Sequence, residues 1–364
     1  MKITELYIYP IKSLAPLAVT QTRLRREGLE HDRRFMLLKV QPNGEYKNIQ
    51  TAYMPECVLF DQKLEDGNIL ITYRIPSPPL FAPEAPEQRT ALRVPLCPKL
   101  EGRDLVDVKL MGSSTTAYRM GDPYDSWFSA CFGYKAILVY IGNQGRPVLA
   151  HRPSGHPLWQ RPQSGQGGWL SSIAAYIPSL LHNNEDEGKQ EQLVFNECAP
   201  FLLTSRASLR DVSTRLPAGE TMDMRKFRPN IVVDETEEEG KLQAWDEDYW
   251  AEVVIRRKGT RDENSEYVEQ TRLALTANCA RCVSINIDYE TGQPAKGELG
   301  TVLKKLMKDR RVDPGSKWSP IFGRYAFLPP SIGKEDDGVE VRVGDDVEVV
   351  TRLDQRDTWS WPKY

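Results

Sequence analysis

Arg272-Leu273-Ala274-Leu275-Thr276-Ala277-Asn278-Cys279-Ala280-Arg281-Cys282-Val283-Ser284-Ile285-Asn286-Ile287 is the stretch on which the reading of this chain turns. Arg272 to Leu275 has the residue types of a strand, and Val283, Ile285 and Ile287 alternate with polar residues at the two-residue period of a second one. Cys279 and Cys282 are therefore expected on a strand-to-strand bend. A thiolate is the competent nucleophile and soft-metal ligand, and the cationic neighbour Arg281 is expected to favour the ionised form of Cys282. Four roles fit so short a motif: a dithiol redox pair, half of a zinc site, a single metal ligand, or two inert buried cysteines. Zinc needs three or four ligands, and neither the isolated remaining cysteines nor His31, His151, His156 and His182 supply a matching spacing. A thioredoxin-like pair opens a helix, whereas strand residues follow this one.

Upstream of the cysteines, Phe201-Leu202-Leu203 reads as a strand, Thr204 or Ser205 as a helix cap, and Leu209, Val212 and Leu216 as one helical stripe. Further strands are expected at Ile231 to Val233, Tyr325 to Leu328 and Val339 to Val350. Asp122-Pro123 predicts a helix start with Asp as N-cap and Pro at the first helical position, and Trp127, Phe128, Cys131 and Phe132 share one face before Gly133. In the first third, Ile3 to Tyr9, Phe35 to Leu38 and Val106 to Leu110 have strand character. Lys12-Ser13 lies just past the first of these, and His31-Asp32-Arg33-Arg34 stands at the mouth of the second, where positive charge gathers. Residues 152–192, rich in Gly, Ser, Pro and Gln and closing on an acidic run, predict a long loop or insertion. The acidic tracts at 235–239 and 335–337 predict solvated loops. Ser208 is expected as a helix residue, and Trp245 and Trp250 as packing residues.

A chain of 364 residues, 40% of them hydrophobic, is long enough to bury two cores. Its 48 Lys and Arg against 51 Asp and Glu leave a formal charge of −3, which exerts no global pull on nucleic acid or on an anionic membrane. No nucleic-acid partner is expected, and an anion must be met by local clusters. No run of about 18 apolar residues occurs, so no membrane span is expected. Six cysteines, with only Cys279 and Cys282 close together, do not make a disulfide framework and point to a reducing compartment.

Ala280-Arg281-Cys282 followed by Asp288-Tyr289-Glu290-Thr291-Gly292, with Arg228-Pro229-Asn230-Ile231-Val232 upstream, resembles the MOSC domain, named for the molybdenum cofactor sulfurase C-terminal region. Tyr9-Pro10-Ile11-Lys12-Ser13 and Asp32-Arg33-Arg34-Phe35 resemble the β-barrel domain that precedes it in amidoxime-reducing proteins. The resemblance spans nearly the whole chain and implies a mostly β fold with some α (α+β). Its expected parts are an N-terminal β-barrel domain over 1–130, a linker or insertion with one strand over 131–192, a C-terminal MOSC β-barrel domain over 193–352 and a tail over 353–364.

The resemblance also implies a molybdenum cofactor (Mo-molybdopterin) in the cleft between the domains, with no expectation of pyridoxal phosphate. Cys282 becomes the catalytic residue and the thiolate on molybdenum, and Cys279 and Arg281 its neighbours on the cofactor. Lys12, Ser13 and Arg34 match the cofactor contacts of the first domain, Arg228 and Asn230 those of the second. Arg34 and Arg228 are expected to clasp the cofactor's phosphate, since Arg binds phosphate bidentately, while backbone N–H groups at Thr204 and Ser205 add contacts at a helix start. The implied reaction is reduction of a small N-hydroxylated substrate, with electrons from a redox protein of the b-type cytochrome and reductase kind. Two rivals are a sulfur-transfer protein with a persulfide on Cys282 and a non-catalytic cofactor carrier. Thr51-Ala52-Tyr53-Met54 departs from the pattern by placing Tyr53 where relatives carry Arg, which bears on substrate range. The absence of a visible anchor favours the cytoplasm over a mitochondrial surface.

Overall fold

The computed structural model describes residues 1–81, 84–153, 191–236, 241–262, 265–329 and 338–362. Apart from its two ends, the insertion expected over 152–192 lies outside the described residues, as do most of the tract at 235–239 and all of that at 335–337. In chain order, the elements that position the cleft are β1 (Lys2–Ile8), β2 (Phe35–Val40), β3 (Leu105–Leu110), β4 (Ser113–Arg119), α1 (Tyr124–Phe132), β5 (Ala136–Tyr140), β6 (Phe201–Ser205), α2 (Arg206–Ser213), β7 (Ile231–Asp234), β8 (Trp250–Asp262), β9 (Ser265–Ala280), β10 (Ile321–Phe327) and β11 (Asp346–Arg352).

Seven of these strands close a barrel in the order β7-β6-β10-β9-β8-β11-β1, with β1 pairing back onto β7. The first strand of the chain thus completes a barrel otherwise built from residues beyond 200: Leu6 pairs with Ile231 on one side and Lys2 with Asp346 on the other. Closure leaves no free strand edge, and alternate residues such as Ile3, Leu6, Leu203, Ile231, Val253, Leu273 and Leu275 fill the interior. β6 and β7 run parallel, Leu203 beside Ile231, a pairing that needs a crossover; α2 lies on it.

A five-stranded sheet, β3-β4-β5-β2 with Tyr46–Asn48 at its edge, and a three-stranded sheet of Phe60–Glu65, Asn68–Tyr73 and Leu92–Pro95 surround a second core as a nearly closed barrel. The apolar face of α1 seals it. The Phe60 ring stands 5.9 Å from Trp127 and 4.6 Å from Phe132, the offset geometry that aromatic quadrupoles favour. The fold is mostly β, as the residue types imply.

Three local expectations need correction. The helix begins at Tyr124 rather than at Pro123, although Asp122 still accepts from the Ser126 N–H at 3.1 Å. Val283 to Ile287 is not one strand: Val283–Asn286 is a 3-10 turn, and Ile287 only opens a two-residue strand with Asp288; Val283 is exposed, Ile285 and Ile287 buried. The alternating pattern arose because a tight turn can also bury residues two apart. The single strand expected over Val339 to Val350 is two, Val339–Arg342 and β11, separated at Gly344, whose φ of +99° suits glycine.

Candidate functional site

Because β1 closes the large barrel beside β7, the loop that leaves it at Tyr9 lands against the turn that leads into β7 at Arg228-Pro229-Asn230. Tyr9 is the joint. Its N–H donates to Asp32 Oδ1 at 2.7 Å and its hydroxyl to Pro229 O at 3.0 Å. Two guanidinium groups stand against its ring, Arg33 at 4.3 Å and Arg228 at 4.2 Å from the centroid. Asn230 ties the joint together: its amide donates to Tyr7 O and Asp32 Oδ2 and accepts from Leu202 N–H and Arg33 Nη1.

This joint forms one side of a cleft of ≈ 320 Å³ between the two barrels. Lys12, Ser13, Arg33, Thr51, Tyr53 and Met111 line it from the N-terminal third, and Glu197, Arg228, Asn230, Cys279, Arg281, Cys282 and Tyr325 from the remainder. Ser13, Arg33 and Arg228 all hold left-handed backbone, at φ +75°, +51° and +54°. Such conformations cost non-glycine residues energy and cluster at functional sites.

The cysteines are placed by the end of β9. Ala280 is its last residue; Arg281 N–H then donates to Pro320 O at 2.8 Å, and the chain turns so that Cys282 precedes the 3-10 turn. Cys282 is exposed to the cleft, its Sγ 3.2 Å from Ser284 Oγ, whereas Cys279 is buried. Arg281 attracts both Cys279 and Cys282 electrostatically, but its hydrogen bond to sulfur goes to Cys279. Its Nη1 donates to Cys279 Sγ at 3.0 Å and its Nη2 to Phe227 O at 2.6 Å. Arg281 and Cys282 lie just past the end of β9, and both line the cleft together with Cys279.

The cleft is cationic and incompletely satisfied. Lys12 is buried and donates to Glu197 Oε1 at 2.5 Å; burial pulls its pKa down to about 8 against the opposing pull of Glu197. Arg228 donates through Nη1 to Leu14 O at 3.0 Å, while its Nη2, like Arg281 Nε, is buried with no hydrogen-bond partner among the described residues. A buried donor left open costs free energy, and an anion is the natural acceptor for a guanidinium. Among the described residues no three His, Cys, Asp or Glu side chains converge to hold a metal. A metal beside Cys282 would have to arrive with most of its own ligands. The residues present suit a large anionic group that does so.

Of the ten residues expected here, Lys12, Ser13, Arg228, Asn230, Cys279, Arg281 and Cys282 come together in the cleft. Ser13 spends its hydroxyl on Ile49 O. Three do not arrive. Arg34 donates to Gly142 O and pairs with Glu27 outside the cleft, because the left-handed backbone at Arg33 turns the two side chains apart just before β2; Arg33 lines the cleft instead. Thr204 is fully buried, and Ser205 accepts the Ser208 N–H as the cap of α2 and donates to Glu247 instead of facing an anion. Glu197 and Tyr325 had no site signal in the sequence: the pairing of β10 with β9 brings Tyr325 to the cleft, and the loop before β6 brings Glu197.

The MOSC domain model matches residues 190–348 and the MOSC N-terminal beta barrel domain model residues 1–135. The chain is 32% identical to mitochondrial amidoxime reducing component 2 of Macaca fascicularis over 352 residues, 95% of this chain and 82% of that protein. It is 28% identical to mitochondrial amidoxime reducing component 2 of Rattus norvegicus over 356 residues, with the same coverage of each chain. It is 26% identical to molybdenum cofactor sulfurase of Homo sapiens over 319 residues, 85% of this chain but 29% of that protein. No helix among the described residues is long and apolar enough to cross a membrane. The chain belongs to the family of MOSC-domain proteins that carry a MOSC N-terminal beta barrel domain, the family of the mitochondrial amidoxime-reducing components.

Proposed function

We propose that this protein holds a molybdenum cofactor in the cleft through the Cys282 thiolate and reduces small N-hydroxylated substrates such as amidoximes or hydroxylamines. One observation carries the reading: the exposed Cys282 thiol opens onto a cleft in which one buried nitrogen of Arg228 and one of Arg281 have no hydrogen-bond partner among the described residues. The cofactor, when bound, supplies two-electron chemistry, and the protein supplies a ligand, orientation and field. Arg228, Arg33 and Lys12 neutralise its anionic part. Cys282 anchors its metal, and Arg281 holds Cys279 back from the same role. Removal of oxygen from an N-hydroxyl group as water consumes two electrons and two protons. The Lys12–Glu197 pair lines the cleft and holds a proton there, and the electrons come from a redox protein of the b-type cytochrome and reductase kind.

A sulfur-transfer role is the second reading, favoured by the likeness to molybdenum cofactor sulfurase and by a second thiol held at 3.0 Å from a guanidinium. Molybdenum content measured together with amidoxime reduction separates the two. We expect Cys282→Ala to lose bound molybdenum and turnover while its fold, read by circular dichroism, stays intact. Full activity with normal molybdenum in that variant would sink the reading, and protein-bound sulfane sulfur without molybdenum would favour the rival.

A further inference from the structure

Residues 353–362 leave the last barrel strand and lie beyond the residues matched by the MOSC domain model, which end at 348. They form no strand or helix, yet they are pinned along their length. Arg356 Nε donates at 2.8 Å to the buried Asp248, a carboxylate that also accepts from Arg310, and Asp357 accepts from the fully buried Arg324. Trp359 N–H donates to Asp313 at 3.0 Å, while its ring stacks on His151 at 4.8 Å and meets Tyr325 at 5.9 Å. Trp361 stacks on Trp359 at 5.5 Å, with 9° between the ring planes, and its Nε1 donates to Met111 O at 2.9 Å.

The two ends of this segment grip different barrels. Arg324 and Tyr325 belong to β10 of the closed seven-stranded barrel, and Asp248 just precedes its β8; Met111 is the turn between β3 and β4 of the other. Tyr325 and Met111 both line the cleft, one from each barrel. The fit is close, since a Cβ placed on Gly315 would meet Trp359 O at 1.8 Å.

We propose that residues 353–362 are a staple across the cleft, with Trp361 as the positioning residue that fixes the distance between the Met111 turn and the Tyr325 wall and so the size of substrate admitted. The substrate clause rests on the reductase reading; the mechanical clause does not. The Trp361 Nε1–H donor ties the tail to Met111 O, and losing that bond loosens the mouth of the cleft on that side.

Hydrogen exchange on the full chain and substrate-size discrimination test this together. Trp361→Ala should speed amide exchange in residues 111–113 several-fold while leaving 60–73 unchanged, because only the stapled turn is released. It should also raise kcat/KM for a bulky aryl amidoxime relative to a small alkyl one several-fold, through KM and not kcat. Gly315→Ala, which lifts Trp359 without removing either indole, should reproduce both effects. Unchanged exchange at 111–113 in Trp361→Ala overturns the staple, and faster exchange with an unchanged substrate ratio overturns its role in specificity. If the unmutated protein turns over neither amidoxime, the reductase reading fails and the exchange data alone decide the staple.

Discussion

Two neighbouring arginines show how far a single position matters. Arg33 stands against Tyr9 in the cleft, and Arg34, one residue on, faces away toward Glu27. If the cleft holds an anionic cofactor, Arg33→Ala and Arg228→Ala should each weaken its retention by roughly 1.5–3 kcal/mol, the worth of a charged hydrogen bond, whereas Arg34→Ala should retain it. Molybdenum occupancy after extended dialysis of the three variants checks this, and equal loss in all three would refute the assignment. Glu247 offers a residue-scale test of stability. It is fully buried, and burial, helped by Asp248, pushes its pKa up to about 7 against the pull of the Ser208 and Ser205 hydrogen bonds. The unfolded chain releases this proton at an ordinary carboxyl pKa, so the stabilising contribution of protonated Glu247 is complete below that value and is lost as pH rises through about 7. Glu247→Gln should flatten the fall in urea midpoint between about pH 5 and pH 8, and an unaltered profile would show that another group titrates there.

Elements aim these residues. β9 pairs with β10 through two register shifts, between Leu275 and Ala277 and between Asn278 and Ala280, and each shift re-aims the strand just before the cysteines. Opposite them Gly323 holds φ +81°, and a Cβ there would fall 2.7 Å from Thr204 Cγ2 and 2.9 Å from Leu203 O. Gly323→Ala therefore meets both a left-handed backbone and a clash with β6. It should cost on the order of 1–3 kcal/mol, read from the denaturant midpoint, and a change within a few tenths of a kcal/mol would show that the strands yield without strain. The 3-10 turn at Val283–Asn286 has a matching role, since a continued strand would have carried Cys282 onward along the barrel instead of leaving it at the cleft.

At the scale of the whole molecule, the chain is not a string of two independent barrels. β1 pairs with both β7 and β11, so the large barrel needs the first residues of the sequence. A chain lacking residues 1–9 should fail to close it: limited proteolysis should cut within 200–352, and a synthetic peptide of residues 1–9 should restore protection. Resistance without the peptide would show that the barrel closes by other means. The sequence by itself determined the β character, the end of helix α1 at Gly133 and a helix cap at Thr204 or Ser205, while only the family resemblance singled out Cys282 from Cys279. The first three follow from local properties: side-chain period and backbone preference. The tertiary structure alone decided that Arg33 and not Arg34 enters the cleft, that Arg281 hydrogen-bonds to Cys279 and not Cys282, that Glu197 and Tyr325 belong to the site, and that residues 353–362 bridge it. These placements rest on a frame of pairings between residues far apart in the chain, such as Leu6 with Ile231 and Lys2 with Asp346, whose register no local pattern encodes because a shift of one residue would turn every side chain of a strand to the other face.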